Sequence, residues 1–319
     1  MNEFEIINRY FNHRIKNPNI VLGVGDDCSL LDLPTNTELA LSVDTLIAGV
    51  HFPETAAPEL IGERALCVAI SDLAAMGATP IGFTLALSLP EAQPDWLQGF
   101  TDGLSRAAGY CDCDLVGGDT TKGHLTISIQ VMGYVERGQA IRRSGARAGD
   151  TIFVTGYLGD GGAALAVIEQ RWQVEASLAS YFEDRFYRPH PKIHEGQKLL
   201  GVASAAIDIS DGLLADLNHI CVASQVDATL EIEQLPLSSF LRQHPDPQQI
   251  EQWALAGGDD YQLCFTVAEE KLAVLQALID QTLIQATAIG KIVAGNGQVV
   301  CTKGGQPIAP QGLGYRHFD

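Results

Sequence analysis

Aspartates in this chain recur in one context, at the end of a short apolar stretch or inside a glycine-rich turn. Asp44, for example, ends the run Leu-Ala-Leu-Ser-Val, and Asp119 follows Gly117-Gly118. Carboxylates beside apolar elements are costly to bury alone, so they are usually paired or bound to a metal. The residues that share this context are Asp26, Asp27, Asp44, Asp72, Asp119, Asp208, Asp211, Asp259 and Asp260.

The chemistry that such a set predicts is the binding of divalent cations. Two negative charges about 4 Å apart repel by roughly 4 kcal/mol at an effective dielectric of 20, so converging aspartates need cations between them. Carboxylate oxygens suit Mg²⁺, which bridges protein acids to substrate phosphates. Any single aspartate could instead be a turn or cap residue, as Asp211 before Gly212-Leu213-Leu214 illustrates.

The composition narrows the class of protein. A formal net charge of −19 over 319 residues argues against a nucleic-acid partner, which calls for a basic surface. The same charge fits a phosphate-bearing substrate only if metal ions lie between protein and phosphate. The seven cysteines lack zinc-ligand spacing and predict reduced, mostly buried thiols in a cytoplasmic protein. The sequence contains no run of about 18 uncharged apolar residues, so we expect no membrane span.

Strand-like and helical stretches alternate along the chain, which predicts an α/β (α+β) fold. An amphipathic surface helix is expected over residues 3–16. The stretch 136–150 is poor in apolar residues and rich in Arg and Gly, so we expect domains over 1–137 and 138–319. The further predicted strands are 39–43, 83–89, 114–116, 125–135, 151–155, 205–209, 228–232, 261–267, 286–292 and 297–301. A loop is expected over 117–121, between the strands 114–116 and 125–135. The further predicted helices are 60–76, 96–110, 162–171, 192–202, 212–223, a helical region near 237–255, and 269–279.

A glycine-rich loop, Gly156 to Ala164, offers a second interpretation. Gly159, Gly161 and Ala164 have the spacing of a dinucleotide-binding turn between a strand and a helix. The context is wrong, because residues 172–188 look helical or irregular where a second strand ending in an acid is required. The loop therefore serves either close helix–strand packing or a phosphate. No G-x-x-x-x-G-K-[ST] motif occurs, which excludes a P-loop kinase.

Seven short motifs occur in an order that resembles the thiamine-monophosphate kinase family. They are Gly23-Val24-Gly25-Asp26-Asp27-Cys28, Ser42-Val43-Asp44-Thr45-Leu46, Gly49-Val50-His51-Phe52, Ser71-Asp72-Leu73-Ala74-Ala75-Met76-Gly77, Gly117-Gly118-Asp119-Thr120-Thr121, Asp208-Ile209-Ser210-Asp211-Gly212-Leu213 and Gly257-Gly258-Asp259-Asp260-Tyr261. The resemblance runs from about residue 23 to Phe318 and extends to the aminoimidazole-ribonucleotide synthetase superfamily. It implies a two-domain fold, with an N-terminal ATP- and metal-binding domain whose sheet pairs across a homodimer, and a C-terminal α/β domain. It also implies ATP and several Mg²⁺ ions between the domains.

The resemblance implies roles for individual residues. Asp44, Asp119 and Asp211 are the expected catalytic residues. The implied metal ligands are Asp27, Ser42, Asp44, Asp72, Asp119, Asp208 and Asp211; the implied nucleotide contacts are Gly118, Asp119, Arg143 and Ser210; and the implied contacts to thiamine phosphate are His51, Asp259 and Tyr315. Asp259 stands where the family usually has Glu, so its side chain is shorter by one methylene. Taken alone, His51 could be an ordinary turn residue and Arg143 a solvated linker charge.

The implied reaction is transfer of the γ-phosphoryl group of ATP to the phosphate of thiamine monophosphate. Because that acceptor is already anionic near pH 7, no strong general base is required. The expected mechanism is direct transfer by positioning and Mg²⁺ electrostatics. Three alternatives remain open: a superfamily synthetase that phosphorylates a carbonyl oxygen, a non-catalytic nucleotide or metal sensor, and an acidic scaffold.

Overall fold

The computed structural model describes residues 2–312 and 314–318. The chain divides into two compact units, residues 1–73 with 78–138 and residues 74–77 with 139–319. The two functional domains expected over 1–137 and 138–319 stay a prediction. The predicted alternation of strands and helices is confirmed in both units.

The first unit is built around a four-stranded sheet. Its elements are α1 (Glu3–Ile6), a π-helical turn (Ile7–Phe11), β1 (Ile20–Leu22), β2 (Leu30–Leu31), β3 (Thr37–Ile47), α2 (Pro58–Ala75, all but its last residues), β4 (Thr79–Leu89), α3 (Pro94–Tyr110), β5 (Asp114–Lys122) and β6 (Thr126–Glu136). The sheet order is β3-β6-β4-β5, so β3 and β5 form opposite edges. From residue 83 onward, buried and more exposed residues alternate along β4, where Phe83, Leu85 and Leu87 are buried and Ala86 is exposed.

Two local predictions in this unit are wrong. The helix expected over 3–16 ends with the π-helical turn at Phe11. Beyond it the amides of Lys16 and Asn17 donate to the carboxylate of Asp114, at 2.8 and 2.7 Å, which holds this segment out of a helix. The loop expected over 117–121 lies inside β5, which runs parallel to β4. Short β1 and β2 were not predicted.

The second unit contains a seven-stranded sheet with the order β13-β12-β9-β11-β7-β10-β8. Neighbouring strands are antiparallel except β12 and β9. Strands β7 and β10 are buried along their whole length and form the centre of the core. The elements are β7 (Thr151–Thr155), α4 (Asp160–Ile168), α5 (Ala176–Tyr187), α6 (Ile193–Lys198), β8 (Ala205–Asp208), α7 (Leu213–Ser224), β9 (Val226–Glu231), α8 (Pro247–Ala256), β10 (Leu263–Val267), α9 (Leu272–Asp280), β11 (Ala286–Ala294), β12 (Val299–Lys303) and β13 (Gln306–Ile308).

The predicted strand 151–155 is confirmed with the same bounds. The other elements predicted in this half are present with shifted ends, and α5 settles the ambiguous stretch 172–188 as mostly helical. The ends of β8 and β10 carry most of the candidate site residues of this unit. Asp208 is the last residue of β8, and the Gly257 to Tyr261 motif lies between α8 and β10.

Candidate functional site

Ser42, Asp44 and Asp72 form the first group of predicted site residues. Ser42 and Asp44 alternate on strand β3 and therefore point to the same face of the sheet. Helix α2 covers that face, since the Ser42 hydroxyl donates a short hydrogen bond to the Asp72 carboxylate on α2. The structure thus brings Ser42 and Asp72 into direct contact and places Asp44 next along the same face.

Asp27 and Asp119 form a second group. Both line one cavity of about 510 Å³, together with Asp26, Gly117 and Gly118. The amide of Asp27 donates to the Asp26 carboxylate at 2.8 Å, which fixes the turn that presents the acids. Asp119 is exposed on edge strand β5, and Gly118 beside it lines the same cavity.

The two groups lie at opposite edges of the four-stranded sheet. Asp44 pairs with Ile129 of β6, Ile129 with Leu85 of β4, and Leu85 with Gly118 of β5. Three strand spacings of roughly 4.8 Å put the backbones of Asp44 and Gly118 about 14 Å apart. One ion therefore cannot bridge Asp44 and Asp119 of the same chain.

The donor chemistry of each group fits magnesium. The first group offers carboxylate and hydroxyl oxygens and the second offers carboxylate oxygens, and these are the hard ligands that Mg²⁺ takes while keeping several waters. Across residues 2–312 and 314–318, no three His, Cys, Asp or Glu side chains converge on one point as a complete metal site would require. The ligand assignments stay predictions, and each group fits an ion that is also held by water and phosphate oxygens.

His51 lies in the turn that follows β3. Its Nδ1 accepts a hydrogen bond from the Ile47 amide at 3.0 Å, and its own amide donates to the Ile47 carbonyl at 2.9 Å. Because Nδ1 is an acceptor, the neutral ring carries its proton on Nε2. The ring is therefore oriented as a hydrogen-bond donor through Nε2.

In the second unit, three chain segments meet around the residues that follow β8. The carbonyl of Ser210 accepts the Asp259 amide at 2.9 Å, and the carbonyl of Asp211 accepts the Tyr315 amide at 2.9 Å. Asp208, buried at the end of β8, leads into this turn. The structure therefore brings this turn beside Asp259 and Tyr315, the two contacts to thiamine phosphate predicted in this unit. The turn carries the predicted metal ligand Asp211 and the predicted nucleotide contact Ser210.

The segment that carries Asp259 has an unusual backbone. Asp259 and Tyr261 have φ of 67° and 48°, in the left-handed region that residues other than glycine rarely adopt. The Tyr261 hydroxyl donates to Asp259 Oδ1 at 3.1 Å, and the Tyr261 amide donates to the Ile209 carbonyl at 2.8 Å. Residues held in such conformations cost roughly 1–3 kcal/mol each and cluster at functional sites.

Asp260 settles the role of the glycine-rich loop. Its buried carboxylate accepts the amides of Gly159 and Gly161, at 2.7 and 2.9 Å, at the start of α4. These are the donors that a bound phosphate would need. The loop thus serves close packing between α4 and the Asp259 segment. Burial raises the pKa of Asp260 to about 7, although the two amide bonds oppose the shift.

Asp216 was not predicted as part of the site. It lies on α7, is 3% exposed, and accepts the amides of Ser210, Asp211 and Gly212 at 3.1 Å each. Burial, followed by the charge of Asp211, raises its pKa to about 7. The only signal in the sequence is an acid at the fourth position after Gly212 in an apolar helix.

Arg143 is exposed, and its described hydrogen bond is made by its carbonyl, which accepts from the Ser224 hydroxyl at 3.1 Å. This contact fixes the backbone and leaves the role of the guanidinium a prediction. The neighbouring Arg142 carbonyl accepts the Ala206 amide of β8, so the pair of arginines is joined to the strand that leads to Asp208.

Among the described residues, no helix combines the length and apolar character needed to cross a membrane.

Comparison with known proteins defines the class first. Residues 25–135 match the family "AIR synthase related protein, N-terminal domain", and residues 147–302 match the corresponding C-terminal domain. The two-domain fold predicted from the motifs is thereby confirmed. The expected pairing of the N-terminal sheets in a dimer stays a prediction.

Individual proteins similar to this chain show which family within that class it belongs to. The chain is 45% identical over 318 residues to the thiamine-monophosphate kinase of Salmonella typhimurium, which covers 99% of this chain and 98% of the relative. It superimposes with a TM-score of 0.84 on the crystal structure of the thiamine-monophosphate kinase of Stenotrophomonas maltophilia, at 42% identity, covering 91% and 93% of the two chains. A structure described as AaThiL complexed with AMPPCP and TMP matches at 32% identity and a TM-score of 0.77, covering 92% of each chain. The chain belongs to the thiamine-monophosphate kinase family.

Proposed function

We propose that this chain transfers the γ-phosphoryl group of ATP to the phosphate of thiamine monophosphate and so makes thiamine diphosphate. The observation that carries the proposal is identity of 45% to a thiamine-monophosphate kinase over 99% of the chain. The solved AaThiL complex with AMPPCP and TMP supports ATP and thiamine monophosphate as the two ligands. The carboxylate and hydroxyl groups of the candidate site supply the matching chemistry.

The main obstacle to this reaction is electrostatic. Donor and acceptor are both polyanions, and the protein adds a formal charge of −19. Bound Mg²⁺ supplies the positive charge that offsets this repulsion. The acceptor phosphate oxygen needs no base, so the side chains contribute by holding both substrates in line.

The roles proposed for individual residues are those that the family resemblance implies. We assign the cation-binding roles to Asp27 with Asp119, to Ser42, Asp44 and Asp72, and to Asp208 with Asp211. Gly118, Asp119, Arg143 and Ser210 are assigned to the nucleotide. His51 through Nε2, Asp259 and Tyr315 are assigned to thiamine phosphate. The residues assigned as catalytic, Asp44, Asp119 and Asp211, would act by holding the cations that offset the negative charge of the phosphates.

We further propose that the protein is a cytoplasmic homodimer. Leu39, Leu41 and Val43 on edge strand β3 are 46, 53 and 62% exposed and alternate with residues that face α2. An apolar row on an edge strand is a strong candidate for pairing with another chain. A second copy of this sheet edge offers the complementary surface.

Product analysis tests the proposed function. The enzyme is incubated with Mg-ATP and thiamine monophosphate, and the products are separated by chromatography. We expect equimolar ADP and thiamine diphosphate. Two results would contradict the proposal: ADP formed only with a different acceptor points to a superfamily synthetase, and ATP binding without turnover points to a nucleotide sensor.

A further inference from the structure

The turn Ser210–Gly212 has a backbone whose polar groups are all engaged. Its three amides converge on one atom, Oδ2 of Asp216, at 3.1 Å each. Its carbonyls bond outward: Ser210 to the Asp259 amide, Asp211 to the Tyr315 amide, and Gly212 to the amide of Asp216 itself. Asp216 therefore holds the turn through its amides. Through its carbonyls, the turn holds the segments that carry Asp259 and Tyr315.

Convergence on a single carboxylate oxygen sets the orientation of all three peptide planes. Inside a helix or a strand, consecutive amides do not point to one atom; here, directly before α7, they do, so an anion is needed to keep this shape. Asp216 is well placed for this, because α7 holds its Cα and its side chain is almost fully buried. The direction of the Ser210 and Asp211 carbonyls then follows from the direction of the amides, since each peptide unit is planar.

We infer that Asp216 is a positioning residue for both substrates. It acts through the Ser210–Gly212 turn, which carries the residues assigned to nucleotide and cation, and through the carbonyls that hold Asp259 and Tyr315. This inference rests on the proposed kinase function. It predicts that replacing Asp216, which is assigned no contact with a substrate, weakens the binding of ATP and of thiamine monophosphate alike.

Asp227 provides a matched control. Its carboxylate also holds a loop by accepting backbone amides, those of Asn296 and Gln298 at 2.8 Å each. That loop joins β11 to β12 and contains none of the residues assigned to substrates. Replacing Asp227 removes the same kind of interaction from the same unit and so reports the purely structural effect.

The experiment compares Asp216→Ala and Asp216→Asn with Asp227→Ala and the unchanged enzyme. KM is measured for ATP and for thiamine monophosphate, and the dissociation constant of a non-hydrolysable ATP analogue with Mg²⁺ is measured by calorimetry. Loss of folded protein lowers the maximal rate but leaves KM and the dissociation constant unchanged, which separates positioning from stability. Turnover by the unchanged enzyme tests the kinase proposal independently.

For Asp216→Ala we expect both KM values and the dissociation constant to rise at least about tenfold, because a displaced turn loses hydrogen bonds to charged ligands and each such loss weakens binding by about that factor. Asp216→Asn keeps an acceptor oxygen without its charge and should give a smaller rise. It also serves as the test variant if the alanine variant does not fold. Values within twofold of Asp227→Ala would overturn the inference, as would a rise for only one of the two substrates.

Discussion

Substituting Gly161 by alanine tests whether α4 sets the position of Asp259. Gly161 is the second residue of α4, and its amide donates to Asp260. A Cβ at this position would lie 2.4 Å from the Asp259 carbonyl carbon and 2.4 Å from the Gly258 carbonyl oxygen. Ordinary contacts of this kind begin near 3.4 Å, so the backbone at 258–259 has to move by about 1 Å.

Two opposing terms set the effect of Gly161→Ala on stability. Replacing glycine by alanine in a helix favours folding by up to about 1 kcal/mol. Overpacking against backbone atoms costs about 1–3 kcal/mol. The crowded atoms belong to the backbone and cannot rotate away, so we expect a net loss of about 1 kcal/mol in the free energy of unfolding.

The effect on catalysis should be larger and specific. A shift of about 1 Å moves Asp259 relative to the Ser210 carbonyl that it now meets at 2.9 Å. We expect KM for thiamine monophosphate to rise by about 10- to 100-fold, as the loss of one hydrogen bond between charged groups would give. The assay couples ADP release to a spectroscopic readout while thiamine monophosphate is varied, and urea unfolding gives the stability.

Gly109→Ala is the matched control. Gly109 lies in α3, and a Cβ there would meet no atom within 4 Å. This variant should gain up to about 1 kcal/mol of stability and leave KM unchanged. If Gly161→Ala behaves like Gly109→Ala in both measurements, then contact with α4 does not position Asp259.

Further predictions concern single carboxylates. Asp44→Asn and Asp119→Asn should each abolish phosphoryl transfer while circular dichroism and melting temperature stay near those of the unchanged protein; near-native turnover in both would refute their assigned roles. Asp259→Glu restores the length usual in the family and should retain or improve affinity for thiamine monophosphate, whereas complete loss of binding, measured by calorimetry, would show that the contact is misassigned. Burial raises the pKa of Asp260 from 3.8 to about 7, so the folded chain holds a proton that the unfolded chain releases, and stability falls as pH rises from about 4 to about 7. Urea unfolding at pH 5 and 7.5 should show this loss, about 2–3 kcal/mol from Asp260. Asp260→Asn should remove that part and leave the loss that Asp216 contributes, since its pKa is also raised to about 7; an equal pH dependence in both proteins would contradict the shift.

The sequence predicted the architecture well where hydrophobic patterns were long and strong, as in β7 and α3. It was wrong about Gly117–Thr121, which was expected to be a loop because two glycines precede an acid. In the structure Gly118 has φ of +154°, and a Cβ there would lie 1.9 Å from the Leu85 carbonyl oxygen of β4. The glycine therefore permits close approach of two parallel strands, and local sequence cannot distinguish that need from a turn.

The candidate site shows a similar limit. The acid-and-glycine motifs drew attention to Asp211 and Asp259, which occupy neighbouring segments of the second unit. Asp216 was missed, because an acid in an apolar helix reads as an ordinary helix residue until its amide partners are known. The roughly 14 Å between the Asp44 and Asp119 strands also follows only from the strand order, which local patterns leave open.

The internal carboxylates of the second unit have a consequence for inhibitor design. Clusters of backbone amides such as those at Gly159–Gly161 and Ser210–Gly212 normally attract sulfate, vanadate or phosphonate groups. Here Asp260 and Asp216 already fill them. An oxyanion group aimed at these two loops would have to displace a tethered carboxylate, so an inhibitor that carries such a group gains no binding energy there.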